Sequence, residues 1–252
     1  MAQVNKIWLS MGQSWSAGQT DGILDLQAEY TGLQINTRIL KDGVNFSCID
    51  STLNNNQFPL AYKNNGCSIE FYFKDIADLL GRDVYIVKCA KGGAGLAQDA
   101  GIVDWNVASV AELYDEAIAA IQNAKTWMDN RGKSYIFEGL IWWQGEQDSK
   151  TLVDANAYQT NLTNLFNDIV TETGNANLKI YQYDIIDPPS LGRPYKAEVN
   201  SGKLAFTNLD TNNRRLFTPT VIDWNIDDKH PSVDGYLKIW DDYQKPLIIA
   251  DL

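Results

Sequence analysis

Apolar residues are spaced along the chain in two alternating patterns. Short apolar runs rich in β-branched and aromatic residues are typical of buried strands. They cover residues 6–11, 84–89, 134–143, 178–183 and, more weakly, 220–224. Apolar stripes at helical spacing predict the intervening helices. These cover residues 68–80, 107–128, 155–170 and 233–249, where Pro246 ends or kinks the last helix. This alternation predicts an α/β protein, a flavodoxin-like three-layer α/β/α sandwich with a mainly parallel sheet of about five strands.

Two stretches break the pattern. Residues 34–66, rich in Asn, Gly and Lys, are expected to form a long loop or a small hairpin insertion, and residues 188–219 form a second such region. The chain shows no internal repeat and no low-complexity linker, and its 252 residues suit one large domain or two small ones. We therefore expect a single domain over residues 1–252 with loop insertions near 34–66 and 188–219.

The charge balance excludes several classes of partner. The chain carries 21 Lys and Arg against 32 Asp and Glu, a net charge of −11, which disfavours binding to nucleic acid or to an anionic membrane. No apolar run approaches the roughly 20 residues that span a bilayer, and the N-terminus lacks the apolar region of a signal peptide. We expect a cytoplasmic protein, or one that is released or virion-associated.

Cysteine and histidine usage limits the chemistry further. Cys48, Cys67 and Cys89 have no C-x-x-C spacing, so neither a zinc site nor a disulfide framework follows, although a Cys48–Cys67 bridge stays open. Cys89 lies in an apolar strand and is expected to be buried. His230 is the only histidine, so a histidine-rich metal site is excluded. We expect no metal and no organic cofactor.

Polar and glycine-containing segments follow the predicted strands, at the sheet edge where α/β proteins bind ligands. These segments are residues 12–16, 91–95, 144–148 and 227–231. A serine hydroxyl needs a base to become a nucleophile, and Ser14 has His230 as the one available imidazole. A carboxylate must hold that imidazole, and Asp227 is preferred on spacing over Asp223 and Asp228.

The same segments offer donors for an oxyanion. The backbone N–H groups of Ser14 and Gly93 and the side-chain amide of Gln144 could together form an oxyanion hole. Glycine at position 93 suits a backbone that approaches a ligand closely.

Four short motifs in this order resemble the SGNH hydrolase superfamily. They are Gly-Gln-Ser at 12–14, Gly-Gly at 92–93, Trp-Gln-Gly-Glu-x-Asp at 143–148 and Asp-x-x-His-Pro at 227–231. Within the superfamily they are similar to the sialate O-acetylesterase-like and acetylxylan-esterase-like branch of carbohydrate esterases. The resemblance implies the SGNH hydrolase fold and a serine esterase that removes O-acetyl groups from a carbohydrate, without a cofactor.

The resemblance also implies a role for each matching residue. Ser14 is the nucleophile, His230 the general base and Asp227 the residue that orients it. Ser14, Gly93 and Gln144 form the oxyanion hole, and Glu146 supports the Gln144 loop. The expected partner is an acetylated carbohydrate.

Two positions depart from the pattern of that branch. Trp15 stands where the branch usually has Asn, and Ala94 where it usually has Thr or Ser. These departures motivate an alternative, a catalytically weak or inactive carbohydrate-binding module on the same fold. Trp15 and Trp105 are candidates for stacking on a sugar ring.

Other readings of the charged residues are weaker. Glu146 and Asp148 could form the acid–base pair of a glycosidase, but this reading leaves Ser14 and His230 unexplained. Three loop arginines could bind the carboxylate of an acidic sugar, but solvated side chains account for them better. These are Arg193, Arg214 and Arg215.

Overall fold

One sheet organises the chain. The structure, a computed structural model, describes residues 4–18, 26–41, 43–50, 68–188, 191–220, 222–224 and 227–252. Its strands are β1 (Asn5–Gly12), β2 (Leu33–Lys41), β3 (Asn45–Asp50), β4 (Val84–Ala90), β5 (Tyr135–Trp143), β6 (Lys179–Tyr183) and β7 (Arg214–Phe217). They lie in the order β3-β2-β4-β1-β5-β6-β7, and only the β2–β3 pair is antiparallel.

Helices cover both faces of this sheet. They are α1 (Ser14–Ala17), α2 (Lys74–Leu80), α3 (Leu113–Asp129), α4 (Leu152–Thr173), α5 (Lys196–Asn208), α6 (Val233–Ile239) and α7 (Lys245–Asp251). The apolar stripes of α3, α4 and α5 pack into one core cluster on one face. Those of α2, α6 and α7 pack into a second cluster on the other face. The fold is therefore the predicted three-layer α/β/α sandwich.

The two regions expected to be insertions contain regular structure, and for residues 34–66 this is the hairpin alternative. Residues 34–66 include most of the β2–β3 hairpin, and β2 joins the main sheet by pairing in parallel with β4. Residues 188–219 contain α5 and β7, so their interpretation as a loop is wrong. The weak strand at 220–224 is also wrong, because residues 222–224 form no strand and the edge strand lies earlier, at β7.

Helix limits differ from the predicted ones at two places. α3 begins at Leu113 rather than at residue 107, because residues 107–112 form turns and bends. The C-terminal helix is divided by a π-helical turn, Trp240–Gln244, and Pro246 then lies in the first turn of α7.

The structure describes Cys48 and Cys89 but not Cys67. Cys89 is fully buried in β4, as expected, and its Sγ lies 3.8 Å from the carbonyl of Leu113. Cys48 is a free cysteine whose Sγ lies 3.5 Å from the carbonyl oxygen of Ile35, so the structure does not support the Cys48–Cys67 bridge that the sequence left open; Cys67 itself lies outside the described residues. Among the described helices, none has the length and apolar character needed to cross a membrane.

Candidate active site

Three strand ends meet at the centre of the sheet. β1 lies between β4 and β5. Strands β2–β4 lie on one side of β1 and strands β5–β7 on the other, so the carboxyl end of β1 is the topological switch point where α/β proteins bind ligands. Gln13 N donates to the carbonyl of Trp143 over 3.0 Å, and Lys91 N donates to the carbonyl of Gly12 over 3.4 Å. The segments that follow β1, β4 and β5 are thereby held side by side.

A tight turn carries Ser14 out of β1. Gly12 has φ +146°, and a Cβ there would lie 2.2 Å from the carbonyl oxygen of Trp143. Glycine is therefore required for β1 and β5 to approach so closely before the nucleophile turn. Ser16 closes the turn from within, since its Oγ donates to the carbonyl of Met11 over 2.9 Å.

A buried ion pair supports the end of α1. Lys88 in β4 is 2% exposed and its Nζ lies 2.5 Å from Oε1 of Glu70, which is fully buried. The same Nζ donates to the carbonyl of Ala17 over 3.3 Å, and Ser68 Oγ donates to the carbonyl of Ser16 over 3.0 Å. The ammonium group of Lys88 in this apolar strand is thus satisfied by Glu70 and by the carbonyl at the end of α1.

A pocket of about 330 Å³ opens above these strand ends. The residues that line it include Gln13, Ser14, Gly93 and His230, so the structure brings three of the predicted catalytic and oxyanion residues together. The backbone N–H groups of Ser14 and Gly93 donate no hydrogen bond within the part of the chain that the structure describes. They are the groups that a developing oxyanion needs.

His230 and Asp227 form a hydrogen-bonded pair. His230 Nδ1 lies 2.6 Å from Asp227 Oδ2, and the backbone N–H groups of Lys229 and His230 donate to Asp227 Oδ1 over 2.9 and 3.0 Å. Burial raises the pKa of Asp227, but these three hydrogen bonds outweigh burial and lower the pKa below its ordinary value. The carboxylate is therefore ionised and acts only as an acceptor, so Nδ1 carries the proton and Nε2 is free to accept one.

Gln144 differs from its expected placement. It is fully buried and is not part of the pocket wall. Its Nε2 donates to Asp148 Oδ2 over 2.5 Å and to the carbonyl of Ala94 over 3.1 Å, while Tyr158 Oη lies 2.9 Å from its Oε1. The two amide hydrogens are shared among three protein acceptors, Asp148, the Ala94 carbonyl and Gln13 Oε1, which leaves none for an oxyanion.

Gln13 lines the pocket, where Gln144 was expected. Its Oε1 lies 3.4 Å from Gln144 Nε2. With Oε1 turned toward a donor, the Nε2 amide is the end that is left for a ligand. Gln13 was missed because it precedes the nucleophile in the motif and carries no charge.

Asp148 performs the supporting role that was expected of Glu146. Its carboxylate accepts from the backbone N–H groups of Leu96 and Ala97 over 2.8–3.0 Å as well as from Gln144. Burial raises its pKa to about 6, against the lowering effect of these hydrogen bonds. Asp148 thus ties the segment after β4 to the segment after β5. It is fully enclosed, which also removes it as a partner of Glu146 in a glycosidase pair.

Glu146 lines the pocket instead of supporting Gln144. It is 6% exposed, and its Oε2 has no hydrogen-bond partner in the described part of the chain. Gly145, with φ +137°, turns the chain so that the residues on either side of it face opposite ways. Lys203 lies behind this turn, and burial lowers its pKa to about 8.

The two tryptophans expected to stack on sugar are packed in the interior. Trp105 is fully buried and its Nε1 donates to the carbonyl of Gly12 over 3.2 Å. Trp15 touches the pocket, but it is 2% exposed and its ring packs edge-on against Trp143 and Trp224 at 4.6 and 5.6 Å. The structure contradicts a stacking role for Trp105, which is fully buried away from the pocket, whereas that of Trp15, which lines the pocket, stays a prediction.

Three cationic side chains also line the pocket. They are Lys150, Arg193 and Lys229. Arg193 is not the solvated loop arginine that the sequence suggested, since its side chain is 7% exposed and its Nη1 donates to the carbonyl of Ile186 over 2.8 Å. Within the described residues, no group of His, Cys, Asp and Glu is arranged to hold a metal ion.

Comparison with known families decides the assignment. The family described as carbohydrate esterase, sialic acid-specific acetylesterase, matches residues 4–244. The chain belongs to this family. It is a carbohydrate O-acetylesterase, and the site at the carboxyl ends of β1, β4 and β5 is the candidate active site of that esterase.

Solved structures with low sequence identity share the fold of this esterase. A protein from Arabidopsis thaliana is similar with a TM-score of 0.72 and 17% identity over 94% of both chains. NanS is similar with a TM-score of 0.69 and 13% identity over 99% of this chain and 98% of its own. A carbohydrate acetylesterase from Xanthomonas citri gives a TM-score of 0.59 and 16% identity over 93% of this chain and 55% of its own. A search of curated protein sequences finds no significant match.

Proposed function

We propose that this esterase removes acetyl groups from a sugar through an acetyl-enzyme formed on Ser14, with His230 as general base and Asp227 as its orienting acid. The observation that carries the proposal is the 2.6 Å hydrogen bond between His230 Nδ1 and Asp227 Oδ2 beside a pocket that Ser14 and His230 share. Gln13, Gln144 and Asp148 complete the site.

The first half of the reaction transfers the acetyl group to the enzyme. His230 Nε2 takes the hydroxyl proton as Ser14 Oγ attacks the ester carbonyl carbon. The tetrahedral intermediate carries its negative charge on the former carbonyl oxygen. Its collapse breaks the bond to the sugar oxygen, which leaves with the proton from His230.

The second half restores the enzyme. Water gives a proton to His230 and attacks the acetyl carbon, and the second tetrahedral intermediate releases acetate as the proton returns to Ser14 Oγ. Asp227 stays ionised throughout and stabilises the imidazolium that forms twice in each turnover.

Three donors on the pocket wall support the oxyanion in this proposal. They are the backbone N–H groups of Ser14 and Gly93 and the side-chain amide of Gln13. Gln144 is a positioning residue in this scheme, because it holds Gln13 Oε1 and is itself held by Asp148. Pre-oriented donors of this kind contribute about 10²- to 10³-fold in turnover each.

The pocket also favours an acidic sugar. The family description names sialic acid, which carries a carboxylate, and three cationic side chains line the pocket of a chain whose net charge is −11. A local positive field in an acidic protein favours an anionic substrate. We expect a higher kcat/KM for an acetylated sialic acid than for an acetylated neutral hexose.

The alternative of an inactive binding module loses its main support. The unusual Trp15 packs its ring in the apolar core, so the ring does not cover Ser14 and His230 in the pocket. The unusual Ala94 contributes only its carbonyl, which accepts from Gln144. Neither departure removes a group that the mechanism uses.

The test is acetate release from an acetylated sialic acid and from nitrophenyl acetate, with a chelator present. Ser14→Ala should lower turnover by on the order of 10⁶-fold on both esters if the triad acts as a unit. Ser201→Ala, in the separate groove between α4 and α5, is the matched control and should leave turnover unchanged. Hydrolysis by Ser14→Ala at a rate near that of wild type would refute the mechanism.

A further inference from the structure

The carboxylate of Glu146 lines the pocket, and the proposed mechanism does not use it. The side chain is 6% exposed, and neither of its oxygens accepts a hydrogen bond in the described part of the chain. Oε2 is enclosed by protein, whereas Oε1 is not, so Oε1 is the oxygen that a molecule in the pocket can reach.

Hydrogen bonding within the described part of the chain does not use this carboxylate, although its charge favours the ammonium form of the buried Lys203. The backbone around it is already fixed, because Ser149 Oγ donates to the carbonyl of Glu146 over 2.8 Å and Asp148 holds the following residues to the segment after β4. A buried carboxylate without donors is unfavourable for stability. A carboxyl side chain that faces the pocket and has no hydrogen-bond donor on either oxygen among the described residues suggests a function in binding.

The surrounding charges limit the donor that Glu146 can meet. Lys150, Arg193 and Lys229 line the same pocket, and the Lys203 ammonium would lie 3.1 Å from a Cβ placed at the neighbouring Gly145. This positive field repels a cationic ligand, so an amine is disfavoured as the donor. A neutral hydroxyl group meets both conditions, since it donates to a carboxylate and carries no charge.

We infer that Glu146 is a substrate-binding residue whose carboxylate accepts a hydrogen bond from a free hydroxyl group of the acetylated sugar. The inference rests on the proposed function and adds a specificity-determining contact to it. Glu146 would then distinguish a sugar ester, which offers hydroxyl groups, from a simple aryl ester, which offers none.

The experiment combines changes in enzyme and substrate. The substrates are a mono-O-acetylated sialic acid, a series of analogues that each lack one hydroxyl group, and nitrophenyl acetate as a reference ester. The variants are Glu146→Gln, which keeps the size of the side chain, and Glu146→Leu, which removes its acceptors. Glu198→Gln is the matched control, because Glu198 also has a buried unpartnered Oε2 but lines the groove between α4 and α5.

We expect one deoxy analogue to lower kcat/KM of the wild type by about 10- to 100-fold, the range for a hydrogen bond to a charged group. On the parent sugar, Glu146→Gln should lower the ratio of kcat/KM between sugar ester and aryl ester by a similar factor, and Glu146→Leu by more. Neither variant should lose much further activity on that analogue, because the contact is already absent. Glu198→Gln should keep the wild-type ratio.

Two results would overturn the inference. One is a wild type that hydrolyses every deoxy analogue as well as the parent, a comparison that needs no variant to fold. The other is a Glu146→Gln variant that loses as much on each analogue as the wild type does. If the wild type hydrolyses neither the sugar ester nor nitrophenyl acetate, the proposed function fails first. Hydrolysis of both esters with no effect at Glu146 contradicts the inference alone.

Discussion

Replacing Gly12 by alanine tests how closely the nucleophile turn depends on strand packing. An added Cβ would lie 2.2 Å from the carbonyl oxygen of Trp143 and 2.6 Å from Ser16 Oγ. Carbon–oxygen contacts are ordinarily about 3.3 Å or longer, so the chain must shift by about 1 Å at this point. The φ of +146° is a second source of strain for any residue with a side chain.

Both effects can be given a size. Overpacking costs about 1–3 kcal/mol and an unfavourable φ about 1–2 kcal/mol, so Gly12→Ala should lower the free energy of unfolding by about 2–5 kcal/mol. The shift also reaches Ser14, two residues later. A displacement of 1 Å in a catalytic group costs about 100-fold, so kcat on nitrophenyl acetate should fall by about that factor.

Gly174→Ala separates backbone strain from steric overlap. Gly174 ends α4 with φ +72°, and a Cβ there has nothing within 4 Å. This variant should lose only about 1 kcal/mol and keep its turnover. Denaturant unfolding and steady-state kinetics measure both quantities. The reasoning is refuted if the two variants lose the same free energy of unfolding, or if Gly12→Ala keeps the wild-type kcat.

Three further changes test the site. Gln13→Ala should lower kcat by about 10²- to 10³-fold with little loss of stability. Gln144→Ala should instead lower the free energy of unfolding by about 2–4 kcal/mol. If the two variants had equal effects on kcat and on denaturant unfolding, these roles would be contradicted. The pKa of Asp148 is raised to about 6, so the folded protein holds this proton where the unfolded chain has lost it. Its contribution to stability should therefore fall by about 3 kcal/mol from about pH 4 to about pH 7. Denaturant unfolding of wild type and Asp148→Asn at both pH values measures the change as a difference, and a constant difference would count against it. Activity should decline toward acid pH, since protonated His230 accepts no proton from Ser14 while Asp227, with its lowered pKa, stays ionised; a flat pH–rate profile would argue against a histidine base.

The central strands could be predicted because burial on both faces makes them continuous apolar runs. β4 is buried at every position and β5 is buried through its second half. The edge strand β7 could not, because its four residues begin with Arg214 and Arg215. Arg214 packs over the ring of Phe206 at 3.8 Å, and Arg215 pairs with Asp251 at 2.7 Å. Only tertiary contacts therefore make this polar segment a strand.

The site was predictable in its location but not in all its side chains. Ser14, Gly93 and His230 share a pocket because their segments follow strands that end at one edge. Which side chain faces the pocket after β5 depends on the backbone at Gly145, and the sequence contains no signal for that. The structure turns Glu146 into the pocket and leaves Gln144 below it.

The burial of the Trp15 and Trp105 rings could not be predicted from the sequence either. An aromatic residue beside a nucleophile can stack on a ligand or fill the core, and the residue type does not distinguish the two. Here Trp15 has Trp143 and Trp224 as neighbours, and Trp105 has Trp142 at 5.2 Å. The dense aromatic packing around β1 and β5 places both rings in the core.

Labelling with a fluorophosphonate tests the central claim, that Ser14 is an activated nucleophile, most directly. Such a reagent forms a stable bond to a serine whose proton a neighbouring base can take. Mass spectrometry of the digested protein should show one phosphonyl group on Ser14, gained in step with the loss of esterase activity, and Ser14→Ala should gain none. Inactivation with no label on Ser14, or full activity after complete labelling there, would contradict the account.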